Sequence, residues 1–263
     1  MSMPSTREVT SADELRRCSD GDSVVLWAAQ GMAPGVRAWR RGDAVAVAAP
    51  FVACRNRLAV RGPADQVAAL VTEVLGIVGP TYRLFGDDSL VTAVAERVPD
   101  LSHYGSWGWM ELNGPPRQAS ADHAGQSPDG RGDVRWLGQS WEGPVAELLD
   151  VAYPGSWVRP GMSAVRRWAG AFTADGDLAA VCADAWAAPE VGYVGGVAAH
   201  PRWRGRGYAR AVLRFAVDAL LAEHGRVALM VDSENSAAVT LYERCGFRWR
   251  TVAAAGLTAR RAA

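Results

Sequence analysis

The fold is decided by one stretch, Val191-Gly-Tyr-Val-Gly-Gly-Val-Ala-Ala-His200-Pro-Arg-Trp-Arg-Gly-Arg-Gly-Tyr-Ala209, which runs on to Gly225. Val191 to Ala199 is an apolar run between Pro189 and Pro201 and predicts a buried strand. From Tyr208 the apolar period changes. Val212, Leu213, Ala216, Leu220 and Leu221 recur at spacings of three and four, with Arg210, Arg214 and Asp218 on the other side. That is an amphipathic helix, closed by Gly225. Between strand and helix lies Arg204-Gly-Arg-Gly-Tyr-Ala209. Gly205 and Gly207 allow positive φ and close backbone approach. The first amides of the helix have no partner within it, and its dipole favours an anion there. Arg202, Arg204 and Arg206 add positive charge. These residues describe a phosphate or pyrophosphate cradle, although a basic glycine turn with no ligand fits the same six positions. A dinucleotide fingerprint would need glycine where Arg210 stands, and a P-loop would need Gly-Lys-Ser/Thr, which the chain lacks.

After Gly225, Arg226 to Val231 predicts a short strand. Asn235 or Ser236 then suits an N-cap and Gly246 a C-terminal stop, giving a helix of about ten residues. Helical spacing places Asn235, Ala238 and Tyr242 on one face. An amide, a small residue and a phenol in one stripe suit the border of a narrow tunnel, and Tyr242 taken alone equally suits a packing aromatic. Phe247 to Thr251 alternates as a strand.

Arg204-x-x-Gly207-x-Ala209 resembles the acyl-CoA signature of the GCN5-related N-acetyltransferase (GNAT) superfamily, Arg/Gln-x-x-Gly-x-Gly/Ala. Asn235-x-x-Ala238-x-x-Leu241-Tyr242-x-x-x-Gly246-Phe247 is similar to the fourth helix of the same enzymes. The resemblance covers residues 134 to about 252 and implies an α/β (α+β) GNAT fold, a mixed central sheet flanked by helices. It implies acetyl-CoA as co-substrate and no metal. Arg204, Gly205, Arg206, Gly207, Tyr208 and Ala209 would hold the pyrophosphate. Backbone groups of Val197, Ala198 and Ala199 would meet the pantetheine amides, where that strand splays from the next. Asn235 would bond the pantetheine arm beside Ala238, and Tyr242 would serve as general acid at the sulfur. The implied activity is acyl-CoA-dependent N-acyl transfer, with acetyl as the default group and direct attack by an amine of a small molecule. O-acetylation and a non-catalytic acyl-CoA sensor or interaction module are the competing readings.

Many members of the superfamily carry a glutamate on the fourth strand to accept the acceptor's proton. Here that strand has no acid after Glu190, which leaves Asp184 and Asp232 as substitutes. Tyr153-Pro-Gly-Ser-Trp-Val-Arg-Pro160 is expected to wall the acceptor site, with Tyr153 and Trp157 as apolar contacts and Arg159 as a partner for a carboxylate.

The chain has 28 basic and 28 acidic residues, and every basic one is arginine. That balance suggests neither nucleic acid nor another polyanion as partner. Cys18, Cys54, Cys182 and Cys245 are scattered, as are His103, His123, His200 and His224. A reduced cytoplasm fits, and no zinc motif or disulfide framework is indicated. No apolar run is long enough to span a membrane.

Upstream, residues 1–22 read as polar and ragged at the start, and Ser23 to Trp27 as a short strand. Val36 to Arg40 and Ala44 to Ala49 form a hairpin, and Leu58 to Arg61 a further strand. Pro63 opens a helix with Val67, Leu70, Val71 and Val74 on one face. Tyr82 to Phe85 is a strand, Asp87 or Asp88 caps a helix over Leu90, Val91, Val94 and Val98, and Tyr104 to Leu112 extends again. This order repeats that of 191–252, with Ala95 lying over Tyr242 and Asp88 over Asn235. We therefore expect a duplication, with an unrelated α/β domain of the same element order as the alternative: a degenerate GNAT-like unit over 1–113, without an acyl-CoA site, and the catalytic unit over 134–263. Residues 114–133 contain nothing larger than alanine or proline on the apolar side and are expected to link them. Within the second unit, Val134 to Leu137 is a strand and Gly143-Pro144 starts a helix. Met162 to Arg167 is read as a short helix, and Trp168 to Thr173 with Leu178 to Trp186 as a hairpin about Asp175-Gly176. No seventh strand is evident in the tail, so it is either missing or supplied by the other unit.

Overall fold

The computed structural model describes residues 5–114 and 133–258. In the first half the elements are β1 (Arg7–Val9), α1 (Ala12–Cys18), α2 (Ser23–Ala29), β2 (Arg37–Arg41), β3 (Ala44–Val52), β4 (Arg55–Arg61), α3 (Ala64–Val78), β5 (Arg83–Asp87), α4 (Asp88–Ala95) and β6 (Leu101–Asn113). The second half runs β7 (Val134–Leu137), α5 (Glu142–Ala152), β8 (Val165–Phe172), β9 (Leu178–Ala185), β10 (Gly192–Ala199), α6 (Tyr208–His224), β11 (Arg226–Val231), α7 (Ser236–Arg244) and β12 (Arg248–Leu257). The proposed linker falls almost wholly outside the described residues.

All twelve strands form one mixed sheet, ordered β1-β2-β3-β4-β5-β12-β6-β11-β10-β9-β8-β7. Only β4–β5 and β10–β11 are parallel, and each of these pairs is bridged by a long helix, α3 or α6. The order reads alike from either edge once the two halves are exchanged. At the centre the halves trade their last strands. β12 lies between β5 and β6, and β6 lies between β12 and β11. The strand missing from the second half is thus supplied by the first, and the exchange is reciprocal.

Alternation along the strands fixes the layers. Met110 faces the core under α6 and α7, and Ala253 and Ala255 face the core under α3 and α4. Trp109, Val252 and Ala254 point to the opposite face, where a single core spans both halves and takes in α2, α5, Trp27, Phe85, Trp168 and Tyr193. Trp27, Phe85 and Trp109 are fully buried there, each contributing about 2–3 kcal/mol of burial.

Two expectations are corrected. Ser23 to Trp27 is helical, not extended, because Asp22 Oδ1 accepts the Val24 and Val25 amides at 2.9 and 3.1 Å. A capped first turn overrides the strand preference of the Val-Val pair. Met162 to Arg167 is not a helix. Gly161 has φ +79 and β8 already begins at Val165. Arg167 sits opposite Asp184 and pairs with it at 3.0 Å, a cross-strand charge pair that favours the ladder. The second half consequently has one α-helix, not two, between its first two strands.

Candidate functional site

β10 and β11 pair only at Gly192↔Val227 and Tyr193↔Ala228. Beyond Tyr193 they diverge. β10 is bent by a bulge whose register slips between Gly195 and Ala198, with Gly196 at φ +59. Both glycines are required there. A Cβ on Gly195 would come within 2.6 Å of Val158 Cγ2, and one on Gly196 within 2.6 Å of the Trp168 ring. Val197 lies within the bulge, and Ala198 and Ala199 follow it, paired to β9 on one side and without a β11 partner on the other. The sequence reading named those three residues but passed over Gly195-Gly196. Consecutive glycines inside an apolar strand were the available signal.

The gap leads to the start of α6. Gly207 caps this helix at φ +89 with no side-chain hydrogen bond, so its first-turn amides are uncommitted. Gly205 has φ +75 and open space about it, and Gly205, Arg206 and Gly207 are exposed. Tyr208 is buried against Trp203, and Ala209 is half-buried. The guanidinium groups of Arg202 and Arg206 both lie 4.9 Å from the Trp203 ring centroid. Arg204 does something else. Its Nε donates to the Ala199 carbonyl at 3.2 Å and its Nη2 to the Ala152 carbonyl at 2.9 Å, tying the end of α5 to the end of β10.

α7 flanks the gap on the α6 side. Asn235 caps it by accepting the Ala238 amide at 3.2 Å, and Ala238 is half-buried on the same face. Tyr242 keeps 7% of its surface open, with its ring 6.1 Å from that of Phe247. Burial pushes its phenol well above the usual range, and Cys182 on β9, Tyr153 and Tyr193 on β10 push the same way. The ring packs in the core under α6 and α7 with Cys182, Cys245 and Phe247.

Neither candidate base resembles a poised one. Asp184 is fully buried beneath α6, where burial lifts its carboxyl above the usual range despite Arg167 and Arg166. Asp232 is exposed and accepts the Glu234 amide. On the opposite face, Val158 packs on the bulge while Trp157 stacks under Arg55 of the first half at 4.5 Å. Tyr153 and Trp157 are exposed, whereas Arg159 is already paired with Asp150 at 2.8 Å.

The corresponding place in the first half is built differently. β4 and β5 stay close, since a Cβ on Gly86 would meet the Val60 carbonyl at 2.8 Å. A cavity of about 370 Å³ lies beside them, lined by Arg61, Gly62, Asp87 and Arg250 together with Asp22, whose carboxylate pairs with both arginines. Among the described residues there is no cluster of side chains that could hold a metal ion, and no helix is long and apolar enough to cross a membrane.

A splayed parallel strand pair, a bulge and an open helix start thus occur together where β10 passes into α6. Residues 144–247 match the acetyltransferase (GNAT) family and form a GNAT acetyltransferase domain. A GCN5-related N-acetyltransferase from Sphaerobacter thermophilus shares the fold, with a TM-score of 0.59 at 19% identity over 97% of this chain and 96% of that one. The mycothiol acetyltransferase of Kocuria rhizophila is 33% identical over 145 residues, 54% of this chain and 42% of that protein. N-alpha-acetyltransferase 30 of Saccharomyces cerevisiae is 40% identical over 57 residues, 21% of this chain and 32% of that protein. The matched stretches thus span less than half the length of either curated relative.

Proposed function

We propose that the chain is an acetyl-CoA-dependent N-acetyltransferase of a small-molecule amine, working in the cytoplasm, with residues 134–263 as the catalytic unit and 1–113 as a GNAT-like unit that has lost its own acyl-CoA site. The observation that carries this reading is the divergence of β10 from β11 beside a helix start with no side-chain cap. Gly205, Arg206, Gly207, Tyr208 and Ala209 would hold the pyrophosphate, with Arg204 fixing the loop from behind. Val197, Ala198 and Ala199 would bond the pantetheine amides, with Asn235 and Ala238 on the far wall. The amine nitrogen attacks the thioester carbonyl, a C–N bond forms, the C–S bond breaks, and the ammonium proton leaves to water. Holding the two reactants together can lower the barrier by about 7–11 kcal/mol. Tyr242 donates to the departing thiolate, whose conjugate acid has a pKa of about 8.5. Its part there is that of a hydrogen-bond donor, since burial makes the phenol a weaker acid than a free one.

The test is thiol release from acetyl-CoA over a broad amine panel. Tyr242→Phe should lower kcat about 100-fold and leave acetyl-CoA affinity unchanged. Tight acetyl-CoA binding without turnover on any amine would instead favour the acyl-CoA sensor, a reading kept open by the strand that lacks an acid. Turnover confined to alcohols would favour O-acetylation.

A further inference from the structure

The core that joins the two halves contains a cation without an anion. Arg57 projects from β4 toward α2 and keeps only 7% of its surface open. Its Nε donates to the Val52 carbonyl at 3.0 Å, and its guanidinium lies 4.5 Å from the Phe85 centroid and 5.4 Å from that of Trp27. A guanidinium has five N–H donors, and ring faces accept none of them as a carboxylate would. Among the described residues no carboxylate pairs with Arg57. Burial draws its pKa down to about 10; Tyr193 acts against that shift, while Arg55 and Arg83, of its own sign, act with it. Buried cations are ordinarily paired.

A second orphan lies beside it. The indole Nε1 of Trp27 is buried and has no hydrogen-bond partner. The Trp27 ring stacks on Tyr193 at 5.0 Å and 21°, and Tyr193 is the last β10 residue paired to β11 before the gap opens. The Trp27 ring thus links Arg57, whose Nε alone has an acceptor, to Tyr193 at the foot of the gap, on the face away from α6.

We infer that Arg57 and the Trp27 indole N–H form a carboxylate-binding site, and that the acceptor carries a carboxylate beside the amine that is acetylated. This rests on the acetyl-transfer reading and narrows its substrate class to amino-acid-like molecules. A planar carboxylate matches the guanidinium fork two bonds at a time. Arg159, the arginine that sequence alone nominates for a carboxylate, is occupied by Asp150. The site also gives the first half a task, because it delivers a specificity residue to the second half's chemistry.

Thermal unfolding of the full chain with propionate, propylamine or inorganic phosphate at equal ionic strength tests the site without any turnover. Propionate near ten times its Kd should raise Tm by about 3 °C or more, and the other two should not. The shift should vanish in Arg57→Met and shrink in Arg57→Lys, which keeps charge but not the fork. With acetyl-CoA, α-amino acids should exceed the matching amines in kcat/KM by about 100-fold or more, an advantage that Arg57→Met removes. Equal shifts from all three solutes, no shift with propionate, or a shift that survives Arg57→Met overturns the inference. Should Arg57→Met not fold, the three-solute comparison on the wild-type chain decides. A propionate shift without acetylation of any acceptor would leave the carboxylate site standing and sink acetyl transfer. Acetylation indifferent to the carboxylate would do the reverse.

Discussion

Arg204 and Arg206 stand two positions apart and look interchangeable as text, yet the fold gives them different work. Arg204 spends its donors on two backbone carbonyls, while Arg206 lies exposed on Trp203 at the mouth of the cradle. Arg204→Met should therefore cost about 2 kcal/mol of stability, read as a lower urea midpoint. Arg206→Ala should leave that midpoint alone and weaken acetyl-CoA binding about 3–5-fold at low salt, a difference that narrows as salt is raised. Equal effects on stability would refute the division. The spacing from Arg204 to Ala209 was enough to nominate the cradle, because a phosphate site of this kind is built from glycines and backbone amides. Side-chain partners more than forty residues away, such as Ala152, leave no mark in a local motif. Arg57 was missed for a related reason. In Arg55-Asn-Arg-Leu-Ala-Val-Arg61 it reads as a solvated face, and only α2 lying over β4 makes that face an interior.

At the level of elements, caps and glycines decided more than hydrophobic pattern. α2 was misread because Asp22 was not weighed as a cap. Burial raises that carboxyl, but the Arg250 hydrogen bond and charge, the Val25 amide and Arg61 together hold it below the usual carboxylate range. A depressed carboxyl stabilises the fold above its unfolded pKa of about 3.9 and loses that contribution as pH falls through the folded value. Stability of the wild type should thus drop steeply below about pH 4, and the drop should be smaller in Asp22→Ala. At neutral pH that variant should lose about 3 kcal/mol, from the lost cap and from two arginines left without their partner. The bulge makes a second prediction. Gly196→Val puts a β-branched side chain at φ +59 and drives Cβ into Trp168, so acetyl-CoA affinity should fall at least about tenfold, given strain of about 1–3 kcal/mol. Calorimetric titration of acetyl-CoA into the variant would measure it.

Taken whole, the molecule is one sheet, and its midline is a reciprocal exchange of strands. The repeated order of elements was legible from periodicity and turn residues. The exchange itself was not, because both β6 and β12 alternate acceptably for several neighbours and pairing across such sequence distance has no local signature. A chain limited to residues 134–258 lacks β6, so β11 and β12 have nothing between them. That fragment should be aggregated or unfolded, whereas adding residues 5–114 as a separate chain should rescue a soluble, folded pair. The intact protein should melt in one transition, with near-ultraviolet and far-ultraviolet dichroism coincident. Two separate transitions would contradict the shared core.

The exchange also bears on how the polypeptide is made. When β6 leaves the ribosome, its neighbour β5 is already present, but the slot between them waits for β12, which is translated long afterwards. During that interval β5 keeps one bare hydrogen-bonding edge, an inviting berth for any extended peptide, and β6 has no partner strand at all, since β12 and β11 both come later. Whatever occupies the berth must be evicted before the last strand can seat, so the pace of translation across α6 and α7 sets how long newly made protein needs shelter from its neighbours.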